Sequence, residues 1–365
     1  MNIYKNYNKY IFVSAINIIN GGPKTILEEY INILAQENPN FIIIVCINSN
    51  FSIKLNYDNI SFISFTYPEK NILFRLYFEY IHLFFISLKL KPTYVISFND
   101  ITPNMISKFK LNYVHSPMSF EKIKLKFLII SPIFFFKILF FRLTHILTLN
   151  LNNIIIVQQQ QIKNKLIKRY SILENKIFVC NPSINFDSIT ISSDNDYKKG
   201  DFILFYPSIP RILKNIHLVC EAIDKINKFS KHNIILQITL NGTENKYAKK
   251  LKNLYSKNKN IHFLGLLDRS NVLNYLTKCH ALIFASEYET WGLPISEAKF
   301  FNKHIFVLDE EYAHETISDY KKVNFFSKNN ICQVLLNRLN NNIEYSLNNV
   351  PKFSNNKFID IFNSL

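Results

Sequence analysis

Two carboxylates, Glu289 and Glu297, lie in the stretch Ser286-Glu-Tyr-Glu-Thr-Trp-Gly-Leu-Pro-Ile-Ser-Glu-Ala298, with seven residues between them. The same stretch holds the chain's single Trp and one of its six glycines. On one continuous helix, an eight-residue step would leave the carboxylates about 80° apart in direction and roughly 12 Å apart along the axis. The step Gly292-Leu293-Pro294 argues against that, because proline suits a helix's first turn and disrupts its interior. A helix starting at Pro294 is therefore predicted, with Glu289 on the loop before it and Glu297 in its first turn. The free N–H groups of such a start point toward the loop and offer a site for a phosphate. Carboxylates suit hydroxyl groups and the helix terminus suits an anion; a nucleotide sugar combines those parts.

Other segments continue the pattern. Ile261-His-Phe-Leu-Gly265 reads as a strand ending on glycine, followed by Val272-Leu-Asn-Tyr-Leu276 and the apolar run Ala281-Leu-Ile-Phe-Ala-Ser286. Tyr206-Pro-Ser-Ile-Pro-Arg-Ile-Leu-Lys-Asn215 supplies cations, Gly21-Gly-Pro-Lys-Thr25 forms a glycine turn, and Tyr113-Val-His-Ser-Pro117 ends a strand on histidine. In this order, with the Glu-x7-Glu spacing, they resemble family 4 glycosyltransferases, retaining enzymes of the GT-B fold. The resemblance covers most of the chain and is weakest over about 50–110 and beyond about 330. Two positions depart from it. Asn302-Lys303-His304 stands where the family often has Gly-x-Pro, and Ile209 stands where the family has the arginine of its phosphate pair, with Arg211 the nearest substitute.

The resemblance implies an α/β protein of two Rossmann-like, doubly wound domains facing across a cleft, and a role for each matched residue. Glu297 hydrogen-bonds the donor's ribose hydroxyls, the alternative being an acid favoured electrostatically at a helix N-terminus. Glu289 contacts the transferred sugar near the reacting carbon; its alternative is a solvated loop acid, as Glu287 is read. Backbone N–H groups near Gly292 and Leu293 hold the diphosphate, with Gly265 and Leu266 also on the donor side. Lys214, with Arg211, neutralises charge on the departing diphosphate, where such groups commonly contribute most to catalysis. These cations stand in for a metal, so neither a metal nor another cofactor is expected. His115 touches the sugar or the acceptor, and Gly21 and Gly22 let the first loop approach donor phosphates or acceptor. Glu315 resembles a family Glu of its region. Asp194-Asn-Asp196 matches the Asp-x-Asp metal motif of another transferase fold, but its polar surroundings read as a solvated turn.

Composition bounds these expectations. A chain of 365 residues with 48% hydrophobic content suits two cores. We assign 1–180 to an N-terminal acceptor-side domain, 181–201 to a polar linker, 202–345 to a nucleotide-sugar domain, and 346–365 to a tail or helix returning to the first domain. Strand-like runs alternate with helical patterns, as in βαβ units. The five cysteines have no metal-ligand spacing and read as buried free thiols of a reducing compartment. The first residues lack the apolar core of a signal peptide, and a cytoplasmic location is expected.

The net charge of +16 is concentrated. Residues 105–170 contain eleven Lys or Arg against one acid, Glu121. Within 122–147, lysines and Arg142 interrupt a Phe-rich run that is then too short to span a bilayer. Two readings stand side by side: an interfacial helix on an anionic membrane, or a helix packed in its domain with a solvated basic face. No base-reading motif accompanies the charge, so nucleic acid is not an expected partner. The reading is a cytoplasmic, retaining glycosyltransferase moving a hexose from a nucleotide sugar to a growing or lipid-linked glycan, with peripheral contact at the inner membrane face following from the first of the two readings of the basic segment. Its rivals are another GT-B enzyme, such as a sugar phosphorylase or nucleotide-sugar epimerase, and a non-catalytic scaffold or nucleic-acid-binding subunit on a degenerate transferase fold.

Overall fold

A computed structural model describes residues 9–19, 21–51, 55, 57–120, 132–182, 200–340 and 356–363. Two compact units emerge, one of Met1–Ile184 with Phe353–Leu365 and one of Asn185–Lys352. Most of the expected linker, and all of Asp194-Asn-Asp196, lie outside the described residues, as do residues 122–131 of the basic segment.

In the first unit, short apolar runs among the described residues form seven strands: β1 (Tyr10–Ala15), β2 (Ile42–Asn48), β3 (Ile60–Phe65), β4 (Tyr94–Ser97), β5 (Phe109–Val114), β6 (Ile154–Val157) and β7 (Ile177–Val179). All pair in parallel, in the order β3-β2-β1-β4-β5-β6-β7. Continuous burial along β1 and β2 is what a parallel sheet covered on both faces requires. The helices are α1 (Gly22–Glu37), α2 (Ile72–Tyr77), α3 (Leu83–Leu90), α4 (Pro132–Thr148) and α5 (Gln160–Tyr170). A π-helical turn over Phe78–His82 joins α2 to α3. The strand order reverses between β1 and β4, the place where doubly wound sheets bind ligands at their carboxyl ends.

The second unit has β8 (Asp201–Tyr206), β9 (Asn233–Ile238), β10 (Ile261–Phe263), β11 (Ala281–Phe284), β12 (His304–Leu308) and β13 (Val323–Phe326), all parallel, in the order β10-β9-β8-β11-β12-β13. Its helices are α6 (Ile216–Phe229), α7 (Lys246–Tyr255), α8 (Arg269–Lys278), α9 (Leu293–Phe300), α10 (Glu311–Ile317) and α11 (Ile331–Asn340). Here the reversal falls between β8 and β11. The last helix, α12 (Asn356–Asn363), belongs to the first unit, where Phe358 stacks on Tyr30 of α1 with ring centroids 4.1 Å apart.

Three expectations need correction or completion. Helix α9 begins at Leu293, with Pro294 second, so Glu297 is its fifth residue and lies in the second turn, not the first. Glu287 is not a solvated loop acid; its carboxylate pairs with Lys328 and accepts from Asn215 Nδ2 at 3.1 Å. Strand β3 and the helices α2 and α3, in the stretch of weakest resemblance, carry none of the family's motifs. The cysteines are free thiols, with Cys46, Cys180, Cys220 and Cys279 buried and Cys332 half-buried.

Candidate functional site

At the β8/β11 reversal two loops leave adjacent strands. The loop after β8 carries Arg211 and Lys214; the loop after β11 carries Glu287 and Glu289 and runs into α9. Tyr206 ties them at the base. Its buried hydroxyl donates to the Lys214 carbonyl and accepts the Ala285 N–H at 3.3 Å. Asn215, in the left-handed region at φ 51°, adds a second tie by donating Nδ2 to the Ala285 carbonyl at 3.0 Å. A third is the Glu287 N–H to Leu213 carbonyl bond at 2.9 Å.

Held this way, the Lys214 ammonium pairs with the Glu289 carboxylate, both side chains about one-fifth exposed, and lies 5.4 Å from the centroid of the Phe284 ring. Buried nearby, Tyr206 and Tyr312 have hydroxyls held well above the usual phenol range, by burial first and the Glu289 charge second. They therefore stay neutral and serve as donors, Tyr312 to the Ser286 carbonyl at 2.8 Å. Arg211 does not join the pair. It is exposed, in extended conformation, at the entry to the short helical turn Ile212–Lys214.

Gly292 caps α9 at φ 84°, a left-handed conformation that favours glycine. A Cβ there would meet Ile295 Cδ1 at 3.1 Å, Phe284 Cε1 at 3.4 Å and Tyr312 Cε2 at 3.4 Å. Trp291 braces the start of the helix by donating Nε1 to Ser296 Oγ at 2.8 Å. Leu293 is buried as the first helical residue. Glu297 is only 3% exposed at its side chain, and its Oε1 accepts from Arg269 Nη1 at 2.7 Å. Arg269 opens α8, where Asp268 accepts the Asn271 N–H as the helix cap. Gly265 turns the chain after β10 at φ 78°, its N–H bonded to the Leu240 carbonyl at 3.2 Å, and Leu266 beside it is exposed.

Gly21, Gly22 and His115 sit in the first unit. Gly21 caps α1 at φ 73° and ψ −158°, a region essentially confined to glycine, whereas Gly22 is simply the first helical residue. His115 follows β5. Its N–H and that of Ser116 donate to Asp100 Oδ1 at 2.6 and 2.8 Å, and its Nε2 lies 3.5 Å from Asp100 Oδ2. Asp100 is buried with φ 63°, and its carbonyl is bonded by His145 Nε2 at 2.6 Å. Sequence reasoning missed Arg269, Tyr206, Tyr312, Asp100 and His145. The one local signal beside any of them is Asp268, whose residue type suits a helix cap just before Arg269. Glu315 lies on α10. Among the described residues, no group of His, Cys, Asp and Glu has the arrangement of a metal site.

Residues 187–349 match the family model of glycosyl transferases group 1. Solved structures cover nearly the whole chain. The fold is GT-B. HepE of Anabaena, in complex with UDP and glucose, superposes with a TM-score of 0.67 at 12% identity, over 92% of this chain and 91% of that one. WaaG, a glycosyltransferase involved in lipopolysaccharide biosynthesis, gives 0.67 at 14% identity over 91% of each chain. Sucrose-phosphate synthase from Thermosynechococcus elongatus gives 0.69 at 13% identity, over 91% of this chain and 90% of that one. No curated protein matches in sequence. Asn302, which stands where the resemblance would place a glycine, takes φ 54°, in the left-handed region.

Proposed function

We propose that the chain is a retaining glycosyltransferase of family 4 type, moving a hexose from a nucleotide-diphosphate sugar to a glycan or lipid-linked glycan. The observation that carries this reading is the Lys214–Glu289 pair at the β8/β11 reversal, on the loops that lead to Gly292 and the start of α9. The nearly buried Glu297 accepts the ribose hydroxyls through the oxygen that Arg269 leaves free. The diphosphate lies at the first N–H groups of α9, near Gly292 and Leu293, with Gly265 and Leu266 alongside. Glu289 meets the sugar. As the glycosidic bond breaks, Lys214 exchanges its carboxylate partner for the phosphate that gains charge. Lys214 thus supplies, with no metal, the cation that the departing group needs. Retention implies attack from the face the nucleotide leaves, with the leaving phosphate oxygen taking the acceptor's proton.

The acceptor side is assigned to the first unit, with the Gly21 turn and His115, whose imidazole Asp100 orients. The same unit meets the inner face of an anionic membrane. Leu73, Tyr77, Ile81, Phe85 and Leu88 form an exposed row along α2 and α3, and Phe136, Leu139, Leu143 and Ile146 form another on α4. Both rows lie on one face of the sheet. Phe78 and Leu83 pack with Phe12, Ile44 and Val95, and by register that face continues to Val114, Ile155 and Val157, under Leu149 at the end of α4. From Lys70 to Leu173 the described acids are Glu79 and Asp100, both buried, so the surface around the rows is basic. No helix among the described residues is long and apolar enough to cross a membrane.

The test is a thermal-shift panel of UDP-, GDP-, dTDP- and ADP-sugars, followed by transfer with the donor that binds. Stabilisation by one nucleotide sugar, with turnover abolished by Glu289→Ala, is the expected result. No stabilisation by any of them would remove the donor site. Phosphate-dependent release of the sugar, or epimerised donor without transfer, would replace the reading with a phosphorylase or an epimerase.

A further inference from the structure

A buried charge pair occupies the β1/β4 reversal of the first unit. Arg75 of α2 places Nη2 2.8 Å from Oε1 of Glu79, in the π-helical turn, with side-chain exposures of 9% and 0%. Buried pairs of this kind are weak stabilisers, because desolvating both charges offsets most of their attraction. Its neighbours give it a different significance. Arg75 Nη1 donates to Asn17 Oδ1 in the loop between β1 and α1. Asn99, after β4, donates Nδ2 to Glu79 Oε1 at 3.2 Å and to Ser14 Oγ at 2.8 Å, while its Oδ1 accepts the Asn17 N–H at 3.1 Å. One ion pair, Arg75–Glu79, and three hydrogen bonds thus close a ring through Glu79, Arg75, Asn17 and Asn99 across three chain segments.

The helix is built to keep this ring facing inward. Arg75, Glu79, Leu83 and Ser87 are buried at strict intervals of four. On a pure α-helix each such step overshoots a full turn by about 40°, and three steps would carry Ser87 about 120° from Arg75. The π-helical turn over Phe78–His82 winds more slowly and takes up that drift; such turns recur at functional sites. Asn99 is followed directly by Asp100, held at φ 63° with its carboxylate on the His115 and Ser116 N–H groups. Asn17 leads into the loop that ends at Gly21.

We propose that the Arg75–Glu79 pair is a positioning device that, through Asn17 and Asn99, fixes the Gly21 turn on one side and the Asp100–His115 contact on the other. Neither charged group touches substrate; both act by placing loops that do. The transfer arm of the test rests on the function proposed above, whereas the hydrogen-exchange arm does not.

The variants are Arg75→Met, Glu79→Met and the double variant Arg75→Met/Glu79→Met. Each single variant strands one buried charge and lowers Tm. The double variant replaces the pair by apolar side chains and recovers most of that loss. Despite the recovered Tm, amide exchange over 16–22 and 98–102 is expected to quicken at least tenfold, with the β1 and β4 amides unchanged. With the donor identified by the panel and octyl glucoside as acceptor probe, kcat/KM for the acceptor falls at least tenfold while the donor-induced thermal shift stays at its wild-type size. Asn17→Ala covers the case in which the double variant does not fold. It keeps the pair and removes its direct hydrogen bond to the loop, leaving the bond from the Asn17 N–H to Asn99, and exchange over 16–22 alone should quicken. Wild-type exchange in a stable double variant, or in Asn17→Ala, overturns the proposal. A wild-type chain that binds no donor removes the transferase reading instead and leaves the exchange result decisive.

Discussion

Arg269 Nη1 holds Oε1 of Glu297 at 2.7 Å across 28 residues of sequence, and this one bond turns the buried carboxylate. Glu297 is buried and its Oε1 is taken by Arg269, so in the donor site proposed above the second oxygen meets the vicinal hydroxyls. Glu297→Gln keeps the shape and removes the charge. It should weaken nucleotide-sugar binding about tenfold, roughly 1.4 kcal/mol, by titration calorimetry. Arg269→Leu should weaken it by a similar factor without touching the ligand. Equal affinity in Arg269→Leu and wild type would show that the arginine plays no part in setting the carboxylate.

Lys214 and Glu289 should separate chemistry from folding. Both are about one-fifth exposed, and pairs with that much solvent contribute about 1 kcal/mol or less to stability. Lys214→Met should therefore leave Tm within a few degrees of wild type. Turnover should nonetheless fall on the order of a hundredfold or more, the loss typical of removing a group that meets developing charge. Donor KM should change far less. A variant that binds donor poorly and turns over normally at saturation would assign Lys214 to ground-state binding.

The proposed donor half is legible in the sequence for a physical reason. Gly292, Pro294, Glu289 and Glu297 lie within one short segment, and glycine and proline restrict the backbone locally enough to be read from neighbours. Arg269 is not legible, because its partner lies on another helix and no local rule couples them. The same holds for Asp100 and His145, joined across 45 residues through a backbone carbonyl. Glu297 falls one residue further into the helix than the proline predicts, which carries it past the first turn. The left-handed cap is Gly292, and Leu293 directly after it already has a helical backbone, which adds a residue before Pro294. Segments β3, α2 and α3 carry no glycine or proline signature of function. The strict four-residue burial pattern of α2 and α3 fits neither an ideal helix nor a strand.

His145 should make the first unit acid-labile. Burial lowers its imidazole pKa to about 4, and the neutral ring donates Nε2–H to the Asp100 carbonyl. Protonation would place a second N–H on Nδ1, which faces no described acceptor. The folded-state pKa lies below the unfolded value of about 6.5, so the unfolded chain binds the extra proton. Stability from this group is complete above about pH 6.5 and is lost as pH falls toward 4, on the order of 3 kcal/mol in all. His304 in the second unit, also lowered to about 4 by burial, acts in the same direction. Urea melts of His145→Gln between pH 4 and 7 should show a slope reduced by about one proton relative to wild type. An unchanged slope would mean that the imidazole is solvated.

The exposed rows on α2–α3 and α4 should bind anionic lipid through both apolar and basic contributions. Leu73 is 72% exposed and Ile146 62%, and contiguous exposed apolar side chains of this kind mark interaction surfaces. Sedimentation with phosphatidylcholine vesicles, with and without phosphatidylglycerol, measures this directly. Wild type should pellet with the anionic vesicles and be released at roughly 0.5 M salt, where screening reaches a few Å. Phe85→Glu combined with Leu143→Glu removes one apolar anchor from each row and places negative charge against the headgroups. Both positions are exposed, so Tm should hold while pelleting drops at least tenfold. Undiminished pelleting of that double variant, or none by wild type, would assign the rows to packing against protein.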